Sequence, residues 1–153
     1  QQTHKQMEET MCTPDFNLFA KKAPAIKNYD VHIYFGNDPD HPGAELGANI
    51  LAERLLEAVP GAKGPFYVKA GMGPHVFPNV EVTIPPEVLS KTLTLLQLNN
   101  PGLSILVHPH TGDEILDHTT LANWVGKPVP LKLATLAQPA PRKIVNNRGP
   151  QQK

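Results

Sequence analysis

The order in which strand-like and helix-like patterns follow one another is the strongest constraint on the fold of this chain. β-Branched and aromatic residues, partly alternating with polar ones, predict four strands, over residues 29–35, 66–70, 79–84 and 103–108. Apolar residues at helical spacing predict two helices, over residues 44–59 and 87–98. The order β-α-β-β-α-β is that of the ferredoxin-like fold. We therefore predict an α+β domain in which two helices cover one face of a four-stranded antiparallel sheet.

The polar face of this sheet carries histidines. In this fold the first and last strands are neighbours, so the directions of their side chains can be compared. The apolar residues of both strands must meet the helices, and His32 and His108 therefore project from the opposite face, within chelating reach. Glu81 and Thr83 share that face. Such a face needs a cover, which either a face-to-face homodimer of the α/β-barrel type or the segment after His108 would provide.

Imidazoles on rigid neighbouring strands are suited to binding a metal ion. His75 is the best third ligand, because the glycine-rich turn before it can bring its backbone close to the polar face. A histidine after Gly-Pro can also simply cap a turn. Glu81 is the alternative third ligand, and it would complete a set of two histidines and one carboxylate.

Composition excludes several other classes of protein. The 14 basic and 14 acidic residues balance, which gives no electrostatic reason to expect nucleic acid or an anionic membrane as a partner. No apolar run is long enough to span a bilayer. The single cysteine, Cys12, argues against a disulfide framework and a thiolate-rich zinc site, and it suits a reducing compartment. We expect a cytoplasmic protein.

The chain divides into three parts by composition. Residues 1–28 have little apolar periodicity and predict a weakly ordered N-terminal extension. Residues 29–133 contain all the predicted elements and form the domain. Residues 134–153 are rich in proline, glutamine, asparagine and basic residues, which predicts a disordered basic tail.

Short motifs in a fixed order resemble the DOPA 4,5-dioxygenase family. They are DVHIYF at 30–35, GPH at 73–75, LVHP at 106–109, TGDE at 111–114, DHT at 117–119 and WVGKPVPL at 124–131. The resemblance implies a ferredoxin-like fold, a non-haem iron(II) cofactor and extradiol cleavage of a catechol such as L-DOPA by O2. The implied product is seco-DOPA, which cyclises to betalamic acid or muscaflavin in betalain-type pigment synthesis.

Extradiol chemistry needs more than a metal ion. With His32, His75 and His108 as ligands, open positions remain for the catechol and for O2. A further group must move protons, and His118 is the candidate, oriented by Asp117 or Asp113. Tyr34 could hydrogen-bond the substrate or O2, and an aromatic wall could be formed by Phe77 and Trp124.

Other functions fit parts of the same pattern. A cofactor-free monooxygenase or a haem-binding protein of the dimeric α/β-barrel type would not need three chelating histidines. A non-catalytic ligand-binding or interaction module would tolerate loss of His32 and His108. A zinc hydrolase is also possible in principle, since zinc accepts three imidazoles.

Overall fold

The computed structural model describes residues 25–136. The strands are β1 (Tyr29–Tyr34), β2 (Lys63–Val68), β3 (Asn79–Ile84), β4 (Ile105–Pro109) and β5 (Asn123–Val125). The helices are α1 (Ala44–Ala58), α2 (Leu89–Asn99) and the short α3 (Glu114–Asp117), with 3-10 turns at Pro86–Val88 and Leu133–Thr135.

The strands form one antiparallel sheet in the order β2-β3-β1-β4-β5. Its first four strands and two long helices follow the predicted β-α-β-β-α-β order, so the α+β class is confirmed. The predicted count of four strands is wrong. A fifth strand lies beside β4, with Trp124 opposite Leu106. At three residues it is too short to show an alternating pattern in the sequence.

The two long helices share one hydrophobic core with one face of the sheet. Val31 and Ile33 at its centre are fully buried, and they pack with Leu55 of α1 and Leu96 of α2. The prediction that both helices cover the same face is therefore confirmed. The alternating partners of these apolar residues, among them His32, are directed to the other face.

The polar face is covered by the chain itself. Tyr34, Leu106 and Val129 form a second buried cluster, against which Phe77 and Trp124 pack. The segment after His108 thus provides the cover that one of the two sequence alternatives required. The homodimer stays a prediction.

The strand bounds differ from the sequence prediction by one to three residues, most at β2 and β4. β2 begins at Lys63 rather than Phe66 and includes Gly64-Pro65, where its pairing register with β3 shifts. A proline is tolerated there because β2 is at the edge of the sheet. β4 runs over Ile105–Pro109 instead of 103–108, so it extends past His108.

Some predictions lie beyond the described part of the chain. Most of the predicted N-terminal extension and basic tail, residues 1–24 and 137–153, is outside the described residues. Within residues 25–136, no helix is long and apolar enough to cross a membrane.

Gly126 is the glycine whose replacement should damage the fold most clearly. Its φ is +78°, and a Cβ there would overlap the backbone carbonyl oxygen of Leu103. We expect Gly126→Ala to lower the free energy of unfolding by more than about 1–2 kcal/mol, the strain of a left-handed alanine alone. Urea unfolding measures this. Gly43→Ala is the matched control, because Gly43 has a negative φ and a methyl group added there would meet no atom within 4 Å. Equal stability of the two variants would contradict the prediction.

Candidate metal centre

The sheet brings His32 and His108 together on its polar face. On adjacent strands β1 and β4, His108 lies opposite Asp30, and His32 lies opposite Leu106. The two Nε2 atoms are 3.2 Å apart, and both side chains are buried. The shared face that strand alternation predicts is therefore present. Whether these residues bind a metal ion is a separate prediction.

Two further histidines complete a cluster of four imidazoles. The ring of His75 lies 4.2 Å from that of His32, and the ring of His118 lies 4.0 Å from that of His108, measured between centroids. His75 is supplied by the glycine-rich loop after β2, which is fastened by a bridge between His75 and Leu131. His118 follows α3. All four side chains are buried.

Each imidazole of the cluster has an oxygen atom within hydrogen-bond distance of its Nδ1. The Nδ1–H of His108 donates to the Pro109 carbonyl at 3.1 Å, and that of His118 donates to the Glu114 carbonyl at 2.8 Å. The Asn79 side-chain oxygen lies 2.9 Å from Nδ1 of His32 and accepts from it. The Tyr34 hydroxyl lies 2.7 Å from Nδ1 of His75. The oxygens beside His32, His108 and His118 can only accept, so they hold these three rings in the tautomer that leaves Nε2 free for a metal ion. The Tyr34 hydroxyl can donate or accept, and it is compatible with the same tautomer of His75 when it accepts from Nδ1–H.

This arrangement leaves two lone pairs facing each other. With the protons of His32 and His108 held on Nδ1, neither Nε2 can donate to the other across 3.2 Å. A cation between them removes that repulsion. Two nitrogens at about 2.0–2.1 Å from one ion lie about 3.0–3.4 Å apart at ordinary bond angles. The donor set therefore fits a metal ion.

Three of the four imidazoles are also kept uncharged. Burial, reinforced by the nearby His118, lowers the pKa of both His75 and His108 to about 4. Burial and the neighbouring imidazoles lower the pKa of His32 well below its ordinary value. These rings are neutral at physiological pH, which is the form that coordinates metals.

Asp30 borders the cluster, although the sequence did not single it out. A carboxylate oxygen of Asp30 and one nitrogen each from His32 and His108 lie within 4.8 Å of one another. Both of its oxygens already have partners, namely the Thr83 hydroxyl at 2.7 Å and Nε2 of His110 at 2.6 Å. Although burial alone raises the pKa of Asp30, the hydrogen bonds from His110 and Thr83 lower it to about 2.

The sequence contained signals for these omitted residues. Asp30 stands two positions before His32 and so shares its face. Asn79 stands at the start of β3 on the same face, opposite Tyr34, and is completely buried. The strand pattern places His110 past the end of the last strand, but β4 extends to Pro109 and the ring of His110 lies next to that of His108.

The other predicted site residues are found at the cluster, with different contacts. The expected orientation of His118 by Asp117 or Asp113 is wrong, since its ring folds back onto the Glu114 carbonyl one helical turn earlier. Asp117 accepts hydrogen bonds from Thr111 instead. Glu81 lies 3.9 Å from His32, on the Nδ1 side of the ring.

Tyr34, Phe77 and Trp124, the aromatic residues expected at the site, pack together. Tyr34 is fully buried, stacks on Trp124 and contacts His75 through its hydroxyl. Burial raises the pKa of Tyr34, so its hydroxyl keeps its proton. Phe77 packs against the same buried cluster as Trp124, and Tyr34 in that cluster contacts His75. The aromatic wall around a substrate stays a prediction.

Comparison with known proteins identifies the family of this chain. Residues 29–135 match the sequence profile of the Dopa 4,5-dioxygenase family. The chain is 37% identical over 135 residues to a DOPA 4,5-dioxygenase of Amanita muscaria, a match that covers 83% of this chain and 58% of that protein. It is 35% identical over 115 residues to an uncharacterised 21.2 kDa protein of Botryotinia fuckeliana, covering 69% of this chain and 61% of that one. The chain thus spans about 60% of the length of these relatives.

A solved structure has the same fold. The crystal structure of a candidate dioxygenase from Nostoc punctiforme superposes with a TM-score of 0.55 at 28% identity, over 72% of this chain and 90% of that one. Fold and site define a ferredoxin-like protein with a buried histidine cluster of metal-binding type. The chain belongs to the Dopa 4,5-dioxygenase family.

The lowered histidine pKa values predict how stability depends on pH. Between about pH 4 and 6.5, His75 and His108 are neutral in the folded protein, whereas the unfolded chain takes up protons there. The unfolding free energy of metal-free protein should therefore fall as the pH is lowered through this range. Thermal unfolding at several pH values measures it. His75→Gln should show a shallower dependence and His41→Gln, outside the cluster, the wild-type one. If the stability of His75→Gln depended on pH as steeply as that of the wild type, the lowered pKa of His75 would be contradicted.

Proposed function

We propose that this protein is an iron(II)-dependent extradiol dioxygenase that opens the ring of a small catechol such as L-DOPA with O2. The observation that carries the proposal is the cluster of four buried imidazoles, each of which has an oxygen partner on Nδ1 and leaves Nε2 as the atom for a metal ion or a proton. Membership of the Dopa 4,5-dioxygenase family, and the names of its relatives in Amanita and Nostoc, support the choice of reaction.

His32, His75 and His108 are the proposed iron ligands. The Nε2 atoms of His32 and His108 are 3.2 Å apart, and the ring of His75 lies beside that of His32 with its Nδ1 next to the Tyr34 hydroxyl. Glu81 is the weaker third candidate, because it approaches the Nδ1 side of His32, which faces Asn79. Asp30 is weaker too, because both its oxygens are engaged.

Iron(II) held by three neutral ligands supplies open positions where a catechol and O2 can be brought together. His118 is the proposed proton carrier. Its Nδ1–H is fixed on the Glu114 carbonyl, so Nε2 is the atom that takes a proton from a catechol hydroxyl and later returns it to the opened ring. Its ring lies next to that of His108, which puts this atom beside the metal ligands.

Tyr34 is proposed to act in two ways. Its hydroxyl orients the ring of His75, and the same hydroxyl is available to hydrogen-bond the substrate or O2. Burial raises the pKa of Tyr34, so the hydroxyl keeps the proton that it would donate. Trp124, stacked on Tyr34, and Phe77 exclude water from this side of the cluster. The ring-opened product of L-DOPA would be seco-DOPA, the precursor of betalamic acid or muscaflavin. A homodimer in the cytoplasm stays part of the proposal.

Loss of one ligand should abolish turnover. Wild-type protein, reconstituted anaerobically with Fe(II), should consume O2 and form a yellow product on addition of L-DOPA. His108→Ala should lose more than about 100-fold of this rate, because the metal site is broken. His41→Ala, outside the cluster, should keep it. An oxygen electrode and visible spectra give both readouts. O2 uptake in His108→Ala at the wild-type rate would contradict the ligand assignment, and none in wild type would favour the binding-module alternative.

Asn79 should control metal affinity without touching the metal. Removing the acceptor of the His32 Nδ1–H in Asn79→Ala releases the ring tautomer and should weaken Fe(II) binding by about 10–100-fold. Asn79→Asp keeps an oxygen acceptor and should bind more tightly than Asn79→Ala. Asn49→Ala, on the exposed face of α1, is the control for a lost asparagine side chain. Competition with a chelator measures the affinity, and equal values for the Ala and Asp variants would rule out this role.

A further inference from the structure

A concave site lies at one end of the sheet, next to Asp30, whose carboxylate accepts hydrogen bonds from Asn28 and Thr83 of the lining. It is a cavity of about 350 Å³ at the ends of β1, β2 and β3, with Lys27, Asn28, Lys63 and Thr83 in its lining. It lies outside the four imidazoles, and nothing in the mechanism above uses it.

The cavity is joined to the cluster by one row of residues across the sheet. Lys63, Thr83, Asp30 and His108 are successive partners on β2, β3, β1 and β4. Partners in antiparallel strands direct their side chains to the same face. With neighbouring strands about 4.7–4.9 Å apart, Lys63 starts about 10 Å from Asp30 and about 14 Å from His108. The side chain of Lys63 is long and flexible, so its ammonium group can lie closer to Asp30 and His108 than its backbone does.

The charge of the cavity selects anions. Its lining contains two ammonium groups and no carboxylate. Among residues 25–136, neither lysine has a carboxylate oxygen within 4.0 Å, and Asp30 is already engaged by Thr83 and His110. The Asn28 amide and the Thr83 hydroxyl add polar groups. An ammonium group would meet two charges of its own sign here, whereas a carboxylate would meet two of opposite sign.

We infer that this cavity is the subsite that binds the carboxylate of the substrate, with Lys63 as its principal residue and Lys27 as its second. The inference rests on the proposed function for the identity of that substrate. A catechol whose side chain ends in a carboxylate can place its hydroxyls at the histidine cluster and extend its side chain over Thr83 towards the lysines. The geometry thus favours carboxylated catechols over catechol amines.

Equilibrium binding tests the subsite independently of turnover. Calorimetry with 3-phenylpropionate and 3-phenylpropylamine, neither of which has catechol hydroxyls, is done anaerobically on protein with and without Fe(II). The carboxylate should bind and the amine should not. Lys63→Gln should weaken the binding of 3-phenylpropionate about tenfold, because it removes one charge-assisted hydrogen bond. Lys69→Gln removes another exposed lysine of the same β2 region, outside the cavity, and should bind as wild type does.

Turnover then separates this inference from the proposed function. In Lys63→Gln, KM for L-DOPA should rise about tenfold with kcat little changed, while KM for dopamine stays as in wild type. Binding of 3-phenylpropionate without any catechol turnover would support the subsite and contradict the dioxygenase. No binding of 3-phenylpropionate, or equal binding by wild type and Lys63→Gln, would overturn the subsite whatever the turnover.

Discussion

The approach of two uncharged imidazole nitrogens is the constraint on which the site depends. Nε2 of His32 and Nε2 of His108 lie 3.2 Å apart in a buried place where neither can protonate readily. Such a contact is unfavourable in the absence of a cation, and it persists because the strands and the Nδ1 partners hold both rings. The stability of the sheet therefore maintains a geometry that suits a metal ion before any ion arrives, which is the condition for selective and tight binding.

The oxygen partners differ in how firmly they are built into the fold. Two of them, at Pro109 and Glu114, are backbone carbonyls, and no side-chain substitution can remove them. The other two, Asn79 and Tyr34, are fully buried side chains whose identity can change. The affinity for the proposed metal would thus be adjustable through His32 and His75, whereas the rings of His108 and His118 are fixed by the path of the main chain.

Much of this arrangement could be predicted from the sequence, because alternation along a strand determines the face of each side chain. That rule placed His32 and His108 together and both helices on the opposite side. It failed where local patterns are short or where contacts are long-range. The three residues of β5 give no periodic signal, and the partner of His118 depends on how one turn of α3 folds back. The Asp30–His110 pair required knowing that β4 continues through Pro109.

The fastening of the His75 loop has a consequence for how the protein is made. His75 is held through backbone contacts with Leu131, and the Lys132 N–H donates to the Pro74 carbonyl. These partners are more than fifty positions further along the chain. During synthesis from the N-terminus, β1 and its histidine are finished early, yet the His75 loop gains its anchor only when nearly the whole domain has left the ribosome. The four-histidine cluster is therefore completed late in translation, and a nascent chain would present only part of the proposed set of metal ligands.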